Sequence, residues 1–279
     1  MKIFNTVDGI RDEVVAMRAK GLSIGFVPTM GALHEGHLSL LHQAIEENDI
    51  SICSIFVNPI QFNNEQDLSK YPRTLDDDCK KLEKASCDLV FAPSVDVMYP
   101  DGENEKFYFG PLEEVMEGAH RPGHFNGVAV VVKRLFEICL PHRAYFGEKD
   151  FQQLMIIKVL VKQVNMPVEI IGCPIIREDD GLAMSSRNAR LSPEERVNAA
   201  FIYKALSKIK MRAGQKPLED ILSRITERLN SVPGMKVEYL QVADENTLLP
   251  IKYWDDAENI RVFVATFLGE IRLIDNLKV

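Results

Sequence analysis

Residues 22–27 form an aliphatic run closed by Pro28, which predicts a short buried strand. From residue 38 to 45 the apolar positions recur at helical spacing instead. The alternation continues: 50–57, 88–91, 144–146 and 168–171 read as strands, and 74–85, 128–138 and 151–164 as helices. Strands separated by helices imply βαβ units, so the expected fold is α/β, a Rossmann-like parallel sheet with helices on both faces. Beyond Pro174 the order changes. A polar, glycine-containing segment (177–188) leads into helices near 193–212 and 218–229 and then strands near 237–242, 261–265 and 270–274. Helices followed by strands suggest a smaller C-terminal α+β domain. The expected boundary lies between 173 and 174, giving domains 1–173 and 174–279.

The first strand and helix enclose Met30-Gly31-Ala32-Leu33-His34-Glu35-Gly36-His37. His34 and His37, three residues apart, share one face at the strand-to-helix turn. Backbone N–H groups and the dipole at a helix start attract anions, and Gly31 and Gly36 allow backbone to approach a ligand closely. Imidazoles at such a turn suit charge developing on a nucleotide phosphate. A zinc fragment is the alternative, but zinc takes three or four ligands and no further His or Cys pair stands at ligand spacing. Two ordinary turn histidines are the other. Open parallel sheets bind ligands beyond the carboxyl ends of their strands, where this turn falls. The first domain is therefore read as nucleotide-binding and catalytic, and all six histidines lie at or before His142.

With 46% hydrophobic and 27% charged residues, the 279-residue chain has the composition of a soluble globular protein. A net charge of −8 argues against a nucleic-acid surface. Five cysteines without CxxC spacing read as reduced thiols. No apolar stretch approaches the roughly 18–20 residues of a membrane span, and the opening residues lack a secretory pattern. A cytoplasmic location is expected.

Other segments carry candidate chemistry. Phe146-Gly147-Glu148-Lys149-Asp150 repeats the strand, glycine turn and helix start; Lys149 suits a phosphate and Asp150 a helix cap, unless the segment is an ordinary capped turn. Gly181-Leu182-Ala183-Met184-Ser185-Ser186-Arg187-Asn188 offers hydroxyls and a guanidinium to a triphosphate, or is a polar linker. Asn58-Pro59-Ile60-Gln61-Phe62 follows the second strand, and its amides suit a hydroxyl or carboxylate, or simply form a turn. Arg121-Pro122-Gly123-His124-Phe125 reads as an anion contact or a helix entry. Asp76-Asp77-Asp78 could hold Mg²⁺, but acids in a first turn more often serve the helix dipole. Of Gln152 and Gln153, one is expected to face the strand ends and the other solvent.

Taken together and in order, FVPTMGALHEGH, VNPIQF, YPRTLDDD, RPGHFNGV, FGEKDFQQ and REDDGLAMSSRN resemble the pantoate–β-alanine ligase family across nearly the whole chain. The resemblance implies a HIGH-type nucleotidyltransferase fold related to class I aminoacyl-tRNA synthetases, with Met184, Ser185, Ser186 and Arg187 in the place of their mobile KMSKS loop. It implies ATP-dependent joining of (R)-pantoate to β-alanine through a pantoyl adenylate, releasing AMP and pyrophosphate, by a cytoplasmic homodimer with Mg²⁺ accompanying the nucleotide. By position, Met30, Gly31, Ala32, Leu33, His34, Glu35, Gly36, His37, Gly147, Glu148, Lys149, Asp150, Ile176, Met184, Ser185, Ser186 and Arg187 would contact ATP. His37 would be the proton donor, with His34 and Lys149 its catalytic companions. Gln61 and Gln153 would bind pantoate, and Gln61 also β-alanine.

Three rivals differ in testable ways. Another small-molecule adenylyltransferase would share the histidine turn but lack VNPIQF and FGEKDFQQ, and would not release AMP. An aminoacyl-tRNA synthetase fragment would need an anticodon domain and a basic face. A non-catalytic nucleotide-binding relative would have no reason to keep His34, His37, Lys149 and Arg187 together.

Overall fold

The structure is a computed structural model that describes all residues, 1–279. Its larger sheet contains β1 (Lys2–Phe4), β2 (Ile24–Thr29), β3 (Ile50–Ile55), β4 (Leu89–Phe91), β5 (Arg143–Gly147) and β6 (Glu169–Cys173). The spatial order is β1-β4-β3-β2-β5-β6, and every neighbouring pair is parallel. Sequential strands run outward from β2 on one side and from β5 on the other, so the order reverses between them and opens a crevice at their carboxyl ends.

The predicted break at Pro28 does not occur. Strand β2 continues to Thr29, with Pro28 opposite Ser54 of β3. The Ile24 carbonyl accepts the His142 N–H on the β5 side, and Pro28, an even number of residues on, faces the same way. The β2–β5 ladder has already ended at Phe26 and Ala144, so the missing N–H of proline costs no hydrogen bond. The proline stands where the two strands part. Neither β1 nor the helix Val7–Ala19 is among the predicted elements: the strand is too short to show a pattern, and the helix buries only Ile10 and Val14. The helix His124–Cys139 starts four residues before its predicted 128, at a left-handed Gly123 with φ of 79°. Gly127 then packs on the turn Pro59–Gln61 so closely that a Cβ would lie 2.5 Å from the Ile60 carbonyl oxygen.

A second sheet, β7 (Met235–Asp244), β8 (Ile260–Leu268) and β9 (Ile271–Lys278), is antiparallel in that order. The single helix predicted over 193–212 is two, Pro193–Ala199 and Phe201–Arg212, and with Leu218–Asn230 they share an apolar core with this sheet. Ala243, Leu248 and Phe263, however, join the core of the first sheet. Side chains cross the same boundary: buried Glu117 accepts from Arg272 at 2.7 and 2.8 Å and from the Tyr239 hydroxyl at 2.8 Å. Phe267, Arg272, Leu273 and Ile274 of the C-terminal sheet line a cleft between the two sheets.

Candidate active site

His34 is the N-cap of the helix Glu35–Glu47. Its Nδ1 accepts the Gly36 N–H at 3.1 Å, and Nδ1 of His37 accepts the His34 N–H at 3.4 Å. The N–H groups of His37 and Leu38 go to the His34 carbonyl. The helix end that the sequence presents as an open anion site is therefore largely capped from within. Nδ1 acting as acceptor leaves the proton of each ring on Nε2, so the rings carry the donors that remain at the turn. Burial, then the neighbouring Lys149, lowers the His34 pKa to about 4; burial, then His34, lowers that of His37 to about 3. Both are neutral donors at neutral pH, with ring centroids 4.0 Å apart. Gly36 is required by space, since a Cβ there would meet the His34 ring at 2.9 Å.

Behind the turn stands Asp78, fully buried. Its carboxylate accepts the N–H groups of Ala32 at 2.9 Å and Leu33 at 2.7 Å, and the Thr74 hydroxyl at 3.0 Å. Gly31 and Ala32 both have positive φ, 81° and 49°, a conformation these bonds help to maintain. Of the acidic run, Asp76 and Asp77 are exposed while Asp78 shares the buried face with Leu82 one turn on, the one signal in the sequence that sets it apart.

The opposite wall is built on amides. Asn58, only 1% exposed, donates to Gln61 Oε1 at 3.2 Å and to the Gly127 carbonyl at 3.0 Å, and accepts from the Tyr99 hydroxyl. Its hydrogen-bonding groups are thus committed to the protein, and it orients Gln61 instead of reading a substrate. His124 Nδ1 lies 2.8 Å from the Gln61 carbonyl oxygen and pins the same turn. The Gln61 amino group rests on the Met30 sulfur at 2.9 Å, a weak acceptor that a substrate oxygen can displace. Neither glutamine of the pair 152–153 simply faces solvent. Gln152 is buried, donating to the Leu112 and Val115 carbonyls and accepting the backbone N–H of Glu117, whereas Gln153 lines the pocket.

Lys149 projects from the turn after β5, with Nζ 3.8 Å from the Asp150 carboxylate. The turn is held from the second sheet: Asn276, 1% exposed, donates to the Glu148 carbonyl at 2.8 Å and to that of Lys149 at 2.9 Å. Arg261 donates to Asn276 Oδ1 at 2.6 Å and reaches Glu148 at 3.2 Å. The serine segment is docked: Ser185 caps a 3₁₀ turn, Ser186–Arg190, and the Ser186 hydroxyl donates to the Ala32 carbonyl at 3.3 Å. Arg187 and Arg190 both reach Asp67. Asp67 and Asn276 are supporting residues that local sequence patterns do not single out, and Asp78 is marked only by its helical spacing from Leu82.

These walls enclose a cavity of about 230 Å³ that opens on a cleft of about 450 Å³ between the two sheets, with Arg121, Lys149, Asp150, Ser185 and Arg187 common to both. Met30, His34, Gly36, His37, Gln61, Gly147, Lys149, Asp150, Gln153, Ile176, Met184, Ser185, Ser186 and Arg187 all line the cavity. Gly31, Ala32, Leu33, Glu35 and Glu148 do not. Gly31 to Leu33 turn toward Asp78, the Leu33 side chain enters the core, Glu35 is exposed, and Glu148 is engaged by Arg261. Arg121 lines the cavity, and its carbonyl accepts the His124 N–H at the start of the following helix.

The model of the family described as pantoate–β-alanine ligase matches residues 2–278. The chain belongs to the pantoate–β-alanine ligase family. It is 49% identical over 278 residues to pantothenate synthetase from Bacteroides fragilis YCH46, covering 100% of this chain and 99% of that relative. Pantothenate synthetase from Porphyromonas gingivalis W83 is 50% identical over 279 residues, with the same coverage. The crystal structure of pantothenate synthetase from Thermus thermophilus superposes with a TM-score of 0.91 at 45% identity, over 100% of this chain and 99% of that one. That of pantoate-beta-alanine ligase from Francisella tularensis, complexed with beta-gamma ATP and beta-alanine, gives a TM-score of 0.85 at 39% identity over 100% and 97%. The chain is thus a ligase of that family. No helix is long and apolar enough to cross a membrane.

Proposed function

We propose that this pantoate–β-alanine ligase carries out both halves of its reaction in the crevice between β2 and β5, through a pantoyl adenylate. The observation that carries the reading is the convergence of two neutral imidazole Nε2–H donors, Lys149 and Arg187 on one side of a cavity whose other side offers the amides of Gln61 and Gln153. A carboxylate is a poor acyl donor at neutral pH and must be activated. The pantoate carboxylate oxygen forms a bond to the α-phosphorus of ATP, and the bond from that phosphorus to the bridging oxygen breaks, its electron pair leaving with pyrophosphate. Negative charge grows on the phosphate oxygens, toward which His34, His37, Lys149 and Arg187 are turned before reaction begins. In the second half the free amine of β-alanine forms a bond to the acyl carbon, the bond from that carbon to the phosphate oxygen breaks with its electron pair leaving on AMP, and the amine nitrogen gives up one proton to solvent. The neutral state of His37 makes it a hydrogen-bond donor to the developing charge, a narrower role than delivery of a proton from an imidazolium.

Gln61 and Gln153 are assigned to pantoate, and Gln61 also to β-alanine; Met30, Gly36, Gly147, Ile176, Met184, Ser185 and Ser186 are assigned to the nucleotide. Gly31, Ala32, Leu33, Glu35 and Glu148 are assigned as supports of the two turns. No three acidic, His or Cys side chains gather into a metal cage. Asp150 is the one acid on the cavity wall, and a single carboxylate with phosphate oxygens and water is a donor set that suits Mg²⁺. Asp150 would hold the ion, which would neutralise phosphate charge.

A division into domains 1–173 and 174–279 is supported by the separate apolar core of the second sheet. A cytoplasmic enzyme is supported by the five unpaired cysteines, four of them buried. A homodimer follows from the family resemblance and is tested by sedimentation equilibrium. The activity is tested by pantoate-dependent exchange of labelled pyrophosphate into ATP, followed by β-alanine-dependent release of AMP. Exchange without pantoate, or exchange only when β-alanine is also present, would refute the two-step reading.

A further inference from the structure

We infer that Asp67 is a positioning residue, holding the Arg187 guanidinium at the edge of the cavity before the nucleotide arrives. This rests on the reading of Arg187 as a phosphate contact. Asp67 lies in the short helix Glu65–Ser69, on the first-sheet side of the crevice. Its Oδ2 accepts from Arg187 Nη2 at 2.6 Å and its Oδ1 from Arg190 Nη1 at 3.1 Å. The two arginines are three residues apart on the 3₁₀ turn Ser186–Arg190, where positions i and i+3 eclipse, so one carboxylate reaches both.

Two consequences follow from this sharing. One negative charge set against two positive ones leaves the cluster cationic, so an arriving phosphate is attracted without first having to break the pair. Arg187 also spends only Nη2 on Asp67; its Nε and Nη1 donate to no protein acceptor, and the side chain lines the cavity with Ser185, Lys149 and Asp150. A guanidinium held by one nitrogen keeps others for a phosphate, and its rotamers are restricted in advance. Arg190, by contrast, lines only the outer cleft. Asp67 therefore ties the loop through both arginines, but it bears on chemistry through Arg187 alone.

The test uses the full chain with Asp67→Asn and Asp67→Glu in pantoate-dependent ATP–pyrophosphate exchange. Asp67→Asn should raise the apparent KM for ATP about tenfold, the order expected for loss of one charge-assisted contact, while leaving that for pantoate within about twofold. Asp67→Glu should recover most of the loss. In an Arg187→Ala background Asp67→Asn should add less than about twofold, whereas in an Arg190→Ala background the tenfold loss should persist. An equal loss in the Arg187→Ala background, or equal losses for ATP and pantoate, would overturn the assignment. Trypsin cleavage after Arg187 in the nucleotide-free enzyme should accelerate in Asp67→Asn at an unchanged melting temperature; an unchanged cleavage rate would also overturn it. That measurement needs no turnover, so a wild-type enzyme lacking pantoate-dependent exchange would sink the functional reading without deciding the tether.

Discussion

Replacing Asp78 with Asn isolates the support beneath the histidine turn. The carboxylate receives two backbone N–H groups, at 2.9 and 2.7 Å, and a hydroxyl at 3.0 Å, with no exposure to water. An asparagine keeps one acceptor oxygen and sets an amino group where the other oxygen was, donor against donor. One charge-assisted hydrogen bond is lost, about 1.5–3 kcal/mol, and one buried N–H is left unpaired, about 1–3 kcal/mol. The sum, about 2.5–6 kcal/mol, is a large part of a typical folding stability of about 5–15 kcal/mol. The positive-φ pair Gly31 and Ala32 loses its anchor in the same change, so the His34 and His37 rings should shift from their positions. Urea unfolding at pH 7.5 and pyrophosphate exchange on the folded fraction measure the two effects. The control is Asp77→Asn, an exposed neighbour paired only with Lys80, where the change should stay within about 0.5 kcal/mol. Should Asp78→Asn cost under about 1 kcal/mol with exchange unchanged, the carboxylate is not what shapes the turn.

Three further outcomes are expected. His37→Ala should fold normally and lose about 10²–10³ in turnover, the usual cost of one preorganised donor, and wild-type exchange rates would contradict its role. Gln153→Ala should raise the apparent constant for pantoate far more than that for ATP, and Gln61→Ala should impair both pantoate and amine steps; equal losses for ATP and pantoate would mean the amides only support the wall. For His34 and His37, whose folded pKa values of about 4 and 3 lie below the unfolded 6.5, the unfolded chain takes up protons first on acidification. Their contribution to stability should be complete above pH 6.5 and drain as pH falls toward 4 and then 3; NMR titration of either ring near pH 6.5 would refute the neutral assignment.

The parallel sheet was legible because strands covered on both faces leave mainly apolar runs without regular polar alternation, as in β2 and β3. The histidine turn was legible because glycine, histidine and helix start occur within ten residues. Strand β1 and the helix Val7–Ala19 were not, since few of their side chains are buried. Pro28 misled for a specific reason: whether a proline ends a strand depends on which side its nitrogen faces, and that is decided by where β5 stops pairing. The supports escaped for a similar cause. Asp78 meets Leu33 across 45 positions of sequence and Asn276 meets Lys149 across 127, and no local pattern encodes such meetings. Gln152 and Gln153 show the limit at its finest, two identical neighbours of which one staples backbone and the other faces the ligand space.

Asn276 separates what the cavity is made of from what makes it competent. Every residue on the cavity wall lies at or before Arg187, yet the turn carrying Lys149 is fastened by Arg261 and Asn276. A polypeptide interrupted after Leu273 would contain every wall residue and lack the amide that fixes the lysine. Nascent or truncated chains would thus carry the chemical groups without the alignment, and adenylate, a hydrolysable intermediate, would not be made before the enclosure that protects it is complete.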